Sequence, residues 1–98
     1  ARAAEFPDIN EEDLNSIFAG QVKDDDDFRR LFETIAPLYD ANYDPERTRR
    51  WVEDITFRAE THNVAFSQNI PRFDLTDRLH EISAPTLVIV GRHDWITP

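Results

Sequence analysis

Residues 86–98, TLVIVGRHDWITP, decide the fold that this sequence predicts. The first part, residues 86–90, is rich in β-branched residues and apolar on both faces, which is typical of a strand covered by helices on both sides. Gly91 and Asp94 follow. The segment therefore predicts one C-terminal β-strand that leads into a turn carrying Asp94. A strand needs partners, and no other segment has this character, so the rest of the sheet is expected to lie outside these residues.

The sequence before Pro85 has the apolar periodicity of helices. Asn10 is suited to cap a helix over residues 11–22, because its side chain accepts free N–H groups of the first turn. The acidic run at residues 24–27 has no glycine and no alternation of ligands, so it is interpreted as the start of a second helix rather than as a calcium loop. Pro37 is expected to end that helix.

Three further helices are predicted by the same local signals. Asp44 and Pro45 are suited to the N-cap and first position of a third helix. A fourth is expected over residues 61–69, and a last short one follows Asp74. The fold class is therefore mainly α with one C-terminal β-strand. The apolar positions of the third and last helices are Trp51, Val52, Ile55 and Ala59, and Leu75, Leu79 and Ile82.

Composition excludes several classes of partner and site. The 98 residues include 20 acidic and 11 basic ones, and the formal net charge of −9 repels nucleic acid and anionic lipid. No apolar run reaches the roughly 18 residues of a membrane span. Cysteine is absent, which excludes disulfides and thiolate sites, and no histidine has a second ligand at metal-binding spacing. A soluble chain without metal or cofactor is expected, with the cytoplasm as its default compartment.

Residues 74–98, DLTDRLHEISAPTLVIVGRHDWITP, resemble the α/β-hydrolase superfamily. In that superfamily a short helix, a Pro-Thr-Leu strand and a Gly-x-x-Asp-x-x-x-Pro loop deliver the acid of a Ser, Asp, His triad. Gly91, Asp94 and Pro98 match the loop at its spacing. The resemblance implies that the chain is a fragment of an α/β-hydrolase fold. Residues 1–73 would be its helical lid, and residues 74–98 the short helix, core strand and acid loop.

Asp94 is the catalytic residue that this resemblance implies, since a triad aspartate orients histidine and stabilises the imidazolium. The competing interpretation is that Asp94 caps a helix beginning near Thr97 and Pro98. His93 is adjacent to Asp94 but is not expected to be the triad base. Neighbours in an extended loop point in different directions, and the superfamily places its histidine after a later strand. His62 and His80 are interpreted as surface or lid residues.

The other two triad members are not found in the sequence. None of Ser16, Ser67 and Ser83 lies in the Gly-x-Ser-x-Gly elbow of such enzymes. The chain is therefore expected to be inactive alone, as part of an enzyme that acts on a small-molecule ester or amide. Without its sheet neighbours, it is also expected to self-associate.

The acidic character of the lid resembles the proline iminopeptidase-like branch, where lid carboxylates are thought to receive a substrate's amino group. Glu53, Asp54 and Glu60 are candidates for that role by position only and are not assigned as sites. Trp51, Phe57 and Phe66 are candidates for the inner surface of the lid. Two alternatives remain open: a hydrolase with an aspartate nucleophile, such as a dehalogenase or epoxide hydrolase, and an acidic helical interaction module.

Overall fold

A computed structural model describes residues 9–94 and residue 96 of the chain. Within that range, four α-helices follow one another: α1 (Glu11–Phe18), α2 (Asp25–Ile35), α3 (Pro45–Glu53) and α4 (Ala59–Val64). A 3₁₀ turn at Ala36–Tyr39 extends α2, and α4 runs on into a π turn at Ala65–Asn69. Two further 3₁₀ turns span Ile70–Arg72 and Thr76–Glu81.

Acidic and amide side chains start the first three helices, as the sequence predicts. Asn10, Asp24 and Asp44 each accept the N–H of the residue three positions further on, at 2.7, 2.8 and 3.0 Å respectively. Each bond satisfies one of the N–H groups that a helix start leaves without a partner. Pro45 occupies the first turn of α3, also as predicted. The helix expected over residues 11–22 is shorter than predicted and ends at Phe18.

One apolar core holds the helices together. α1 contributes Ile17, and α2 contributes Leu31 and Ile35, all at most 3% exposed. A second cluster joins α2 to α3 and to the segment before α4 through Val52 and Phe57. Phe28 and Phe32 pack against both clusters. The helices from α1 to α4, called the helical unit below, therefore share a continuous interior.

The end of α1 is attached to α4 through a glycine and an asparagine. Gly20 has a φ of 65°, and a Cβ at this position would lie only 2.7 Å from the carbonyl oxygen of Asn63. The Asn63 side chain accepts the N–H of Val22 at 3.1 Å and donates to the Val22 carbonyl at 2.8 Å. The close approach requires glycine, and the asparagine satisfies both backbone groups of Val22.

The C-terminal helical predictions are partly correct. The fourth helix begins at Ala59, earlier than residue 61, and changes to a π turn after Val64. The short element after Asp74 is a 3₁₀ turn at Thr76–Glu81. Its apolar residues do not pack: Leu75, Leu79 and Ile82 are 47%, 58% and 56% exposed.

The predicted C-terminal β-strand is wrong. Within the described residues there is no strand and no sheet, so a fold class that includes a strand of an α/β sheet is not observed. Residues 86–90 lack regular structure, and Leu87, Val88 and Ile89 are 82 to 84% exposed. The reason is physical: β-branched residues favour an extended chain, but a strand exists only when a second segment pairs with its backbone groups.

Candidate active site

Asp94 lies in a short turn at the end of this extended segment. Its N–H donates to the carbonyl of Gly91 at 3.0 Å, and its carboxylate Oδ1 accepts the N–H of Ile96 at 3.0 Å. A side-chain oxygen that accepts the N–H two residues further on forms an Asx turn, which orients the carboxylate. Residues 97 and 98 are outside the described residues, as are the helix start and the proline of the loop motif that were predicted there.

A cleft of about 590 Å³ separates this turn from the helical unit. Gly91, His93 and Asp94 line one side, and Leu38 and Tyr39 line the other. Its volume falls within the roughly 300–1,000 Å³ of small-molecule sites. The structure therefore brings the predicted catalytic residue together with the 3₁₀ turn that follows α2, an association that the sequence does not indicate.

Tyr39 is the residue of this cleft that sequence reasoning missed. Partial burial raises the pKa of its phenol above the ordinary 10.0, so the group is neutral at physiological pH and able to donate a hydrogen bond. No motif marks it. The available signal was an aromatic residue shortly after Pro37, where the end of α2 was already predicted.

The three histidines occupy different environments. His93 lines the Asp94 cleft as its sequence neighbour. His62 is part of the helical unit: its Nε2 is 2.8 Å from the carbonyl oxygen of Ile17, and its ring lies 4.2 Å from Phe28 and 4.3 Å from Phe66. His80 lies in the exposed turn at Thr76–Glu81. His62 therefore links α1 to α4, while of the three histidines only His93 lines the Asp94 cleft.

The lid carboxylates do not line the Asp94 cleft. Glu53 and Asp54 border a separate polar cleft of about 350 Å³, together with Asp25 and Arg58, and Glu53 also pairs with Arg49 at 3.2 Å. Glu60 borders a third cleft, beside Lys23. The structure thus separates these three candidates from the predicted triad acid.

The aromatic candidates for the lid surface divide into buried and exposed residues. Phe57 is only 6% exposed and belongs to the core. Phe66 is half-buried against Phe18, with ring centroids 5.9 Å apart. Trp51 is 43% exposed and contacts Phe32 and Tyr39, at 5.4 and 6.0 Å between ring centroids. Of the three, Trp51 is the one available to a ligand.

The acidic run at residues 24–27 is used for helix capping. Asp24 caps α2, and Asp25 accepts the N–H of Ala59 at 2.8 Å and pairs with Arg58 at 2.9 Å. Asp27 accepts the N–H of Lys23 at 3.1 Å. Among the described residues no group of three or more histidine or acidic side chains is placed to hold a metal ion. No helix in the same range is long and apolar enough to cross a membrane.

Comparison with known proteins supports an α/β-hydrolase-like relationship. The relative concerned is Proline iminopeptidase PfmaB of Pestalotiopsis fici, which is 34% identical to this chain over 97 residues. The alignment covers 99% of this chain but only 34% of that protein, so the chain spans about a third of its relative's length. No protein-family profile matches the chain, and no solved structure matches it.

Proposed function

We propose that this chain is the lid and acid-bearing segment of a serine hydrolase that cleaves carboxylic ester or amide bonds. The observation that carries the proposal is the 34% identity to a proline iminopeptidase across 97 residues. Asp94 is the triad acid in this scheme. The serine and the histidine come from sequence outside these residues, so the isolated chain is inactive.

The geometry around Asp94 supports its proposed role. A triad acid must hold an imidazole in one tautomer and orientation, which requires a carboxylate fixed by its own hydrogen bonds. The Asx turn with Ile96 supplies such a bond, and Asp94 lines the cleft of about 590 Å³. Asp94 thus has both an oriented side chain and space for a substrate beside it.

The helical unit has the properties of a lid in this proposal. It has its own core, and it forms one wall of the Asp94 cleft through Leu38 and Tyr39. Pocket walls set substrate choice by their shape and by the polar groups they present. Tyr39 is the aromatic residue with a polar group on this wall.

A second candidate function is that of an acidic interaction module. The observation in its favour is that every described residue from Ser67 onward is exposed, including large apolar ones such as Phe73 at 74%. Exposed apolar surface of this kind marks interaction sites in soluble proteins. A module of this type would need neither a nucleophile nor a histidine.

The proposal is tested on the product of the complete reading frame that contains this chain. Purified product is assayed with p-nitrophenyl esters and aminoacyl anilides, and then with a fluorophosphonate probe, which labels an activated serine covalently. We expect hydrolysis of at least one substrate class, together with loss of turnover on labelling.

A haloalkane and an epoxide are assayed in parallel, and turnover of either one that survives the probe would replace the serine with an aspartate nucleophile, as in a dehalogenase or epoxide hydrolase. Absence of both hydrolysis and labelling would overturn the enzyme proposal in favour of the interaction module.

A further inference from the structure

A fourth cleft, of about 330 Å³, opens on the helical unit next to the Asp94 cleft. It is lined by Ala36, Tyr39 and Trp51 and by three polar residues, called the rim, which are Asp40, Arg47 and Thr48. Tyr39 lines both clefts, so the two share a wall. We call this space the aromatic cleft.

The aromatic rings of this cleft are held in place from behind. Phe32 lies half-buried beneath them, with ring centroids 5.5 Å from Tyr39 and 5.4 Å from Trp51. Tyr39 and Trp51 remain 42% and 43% exposed. The planes of the Tyr39 and Trp51 rings are tilted by 60° to each other, so a flat ring that stacks on one of them meets the other at an angle. Because Phe32 supports both rings, such binding costs little side-chain entropy.

The charges on the rim of the cleft are paired with each other, which disfavours the binding of a charged ligand. Arg47 pairs with the carboxylate of Asp40 and also donates to the Asn42 carbonyl at 2.8 Å. Asp40 in turn accepts the N–H of Asn42 at 2.9 Å. The guanidinium and carboxylate thus neutralise each other, and a charged ligand would gain no net attraction from the rim while losing its hydration.

We propose that the aromatic cleft binds a neutral, planar ring of the substrate and thereby favours aryl or other flat cyclic esters and amides. Its volume is at the lower end of small-molecule sites, roughly 300 Å³, which fits one ring system rather than a long chain. The shared Tyr39 places such a ring beside the cleft of Asp94. The link to hydrolysis rests on the proposed function, whereas ring binding does not.

The test is NMR titration of the ¹⁵N-labelled 98-residue chain, at a concentration where sedimentation shows a single species. The probes are N-(2-naphthyl)acetamide, which is neutral and planar, and N-cyclohexylacetamide, its non-planar counterpart. The readout is the indole N–H of Trp51, which a Trp95→Phe variant distinguishes from the second tryptophan. We expect saturable shifts with the naphthyl probe and binding about tenfold weaker with the cyclohexyl probe.

Two variants and one control locate the site. Trp51→Ala removes one stacking face, and Thr48→Leu fills the cleft without removing an aromatic ring. Both substitutions should weaken binding of the naphthyl probe about tenfold or more. Because Trp51→Ala has no indole at this position, its binding is measured from the amide signals of Tyr39 and Thr48. Tyr43→Ala is the matched control, because Tyr43 is as exposed as Tyr39, at 42%, but does not line the cleft.

Several results would overturn the inference. These are no saturable shift, equal affinity for the two probes, unchanged binding in both cleft variants, or the same loss in Tyr43→Ala. The result of this binding experiment does not depend on whether the complete protein is a hydrolase. Ring binding in a chain whose complete protein hydrolyses nothing would remove only the hydrolase proposal. An active hydrolase whose chain does not bind the ring would remove only this inference.

Discussion

Gly20 shows how a single hydrogen in place of a side chain allows two helices to approach. Its φ of 65° is in the left-handed region, which costs a residue with a Cβ about 1–2 kcal/mol. The space where a Cβ would lie is occupied by backbone, with the Asn63 oxygen at 2.7 Å and the Ser67 nitrogen at 2.9 Å. Backbone atoms of a packed helix cannot rotate away as a flexible side chain can.

Gly20→Ala should therefore lower the free energy of unfolding by roughly 2 to 5 kcal/mol, from the strained dihedral and the forced separation of α1 and α4. The matched control is Gly91→Ala, because the nearest atoms to a Cβ there lie 3.9 Å away, an ordinary contact distance. Urea unfolding followed by circular dichroism measures both. A free energy of unfolding for Gly20→Ala within about 0.5 kcal/mol of that of the parent would show that the close approach is absent in solution.

The elements of the helical unit are joined by side chains that reach from one helix to another. Asp25, in the first turn of α2, accepts the N–H of Ala59 at the start of α4. That backbone hydrogen bond, followed by the bond from Arg58, lowers the pKa of the Asp25 carboxyl below its ordinary 3.8. In the same way, Arg29 donates from α2 to the carbonyl of Val52 in α3, at 3.2 Å, and to that of Ile55 just after α3, at 3.3 Å.

The Asp25 contact should give stability a dependence on pH. Because its pKa is lowered in the folded chain, the carboxylate stabilises the fold above about pH 3.8, and this contribution is lost as pH falls through the lowered value. Asp25→Asn should lower the melting temperature at neutral pH, and the difference from the parent should shrink in acid.

Thermal melts from neutral pH to below pH 3.8 measure this effect. Asp26→Asn is the control, since it makes the same chemical change at the next residue, which makes no such link between the described helices. A constant difference between Asp25→Asn and the parent at all pH values would contradict the assignment.

Helix starts could be predicted from the sequence because capping is local. Asn10, Asp24 and Asp44 act on residues three positions away, within the window that a sequence pattern reports. The residues that join helices could not be predicted, because Asp25 and Ala59 meet only after the chain has folded. The strand prediction failed for the related reason that apolar, β-branched composition carries no information about a pairing partner.

The candidate site was predictable only in part. The position of Asp94 in a turn follows from Gly91 and the loop spacing. The cleft beside it depends on how the 3₁₀ turn at Ala36–Tyr39 packs, and no sequence motif predicts that packing. The same holds for the aromatic cleft, since Tyr39, Trp51 and the Phe32 ring that supports them come from two helices and the turn between them.

At the scale of the whole molecule, the described residues form a packed helical unit and a long exposed segment. Residues 73–90 of this segment, called the apolar arm, include Phe73 at 74% exposure and Leu87, Val88 and Ile89 at 82 to 84%. Surface of this kind is unfavourable in water, because each large apolar side chain gains about 1.5–3 kcal/mol on burial. The chain is therefore expected to associate with itself through the arm.

Sedimentation velocity at micromolar concentration should show dimers or larger species. Replacing Leu87, Val88 and Ile89 together with serine should raise the dissociation constant at least about a thousandfold, from the lost burial. Replacing Arg78 and Glu81 with serine is the control, since this exposed ion pair lies on the same arm. A parent chain that stays monomeric would contradict the expectation.

At the same scale, the proposal that Asp94 is a triad acid depends on the charge of its carboxylate, not only on its turn. Asp94→Asn keeps an oxygen for the N–H of Ile96, so the Asx turn survives while the charge is lost. Asp74 offers a matched control, because its Oδ1 accepts the N–H of Thr76, two residues further on, at 2.8 Å. Asp74→Asn therefore makes the same chemical change in the same kind of turn.

The most direct measurement is the turnover number of the complete protein carrying each of these two substitutions. We predict that Asp94→Asn lowers kcat by about 10⁴-fold, with an unchanged circular dichroism spectrum, since an asparagine favours the wrong histidine tautomer. Asp74→Asn should leave kcat unchanged. Near-parental turnover in Asp94→Asn, or an equal loss in both variants, would contradict the assignment of Asp94 as the catalytic acid.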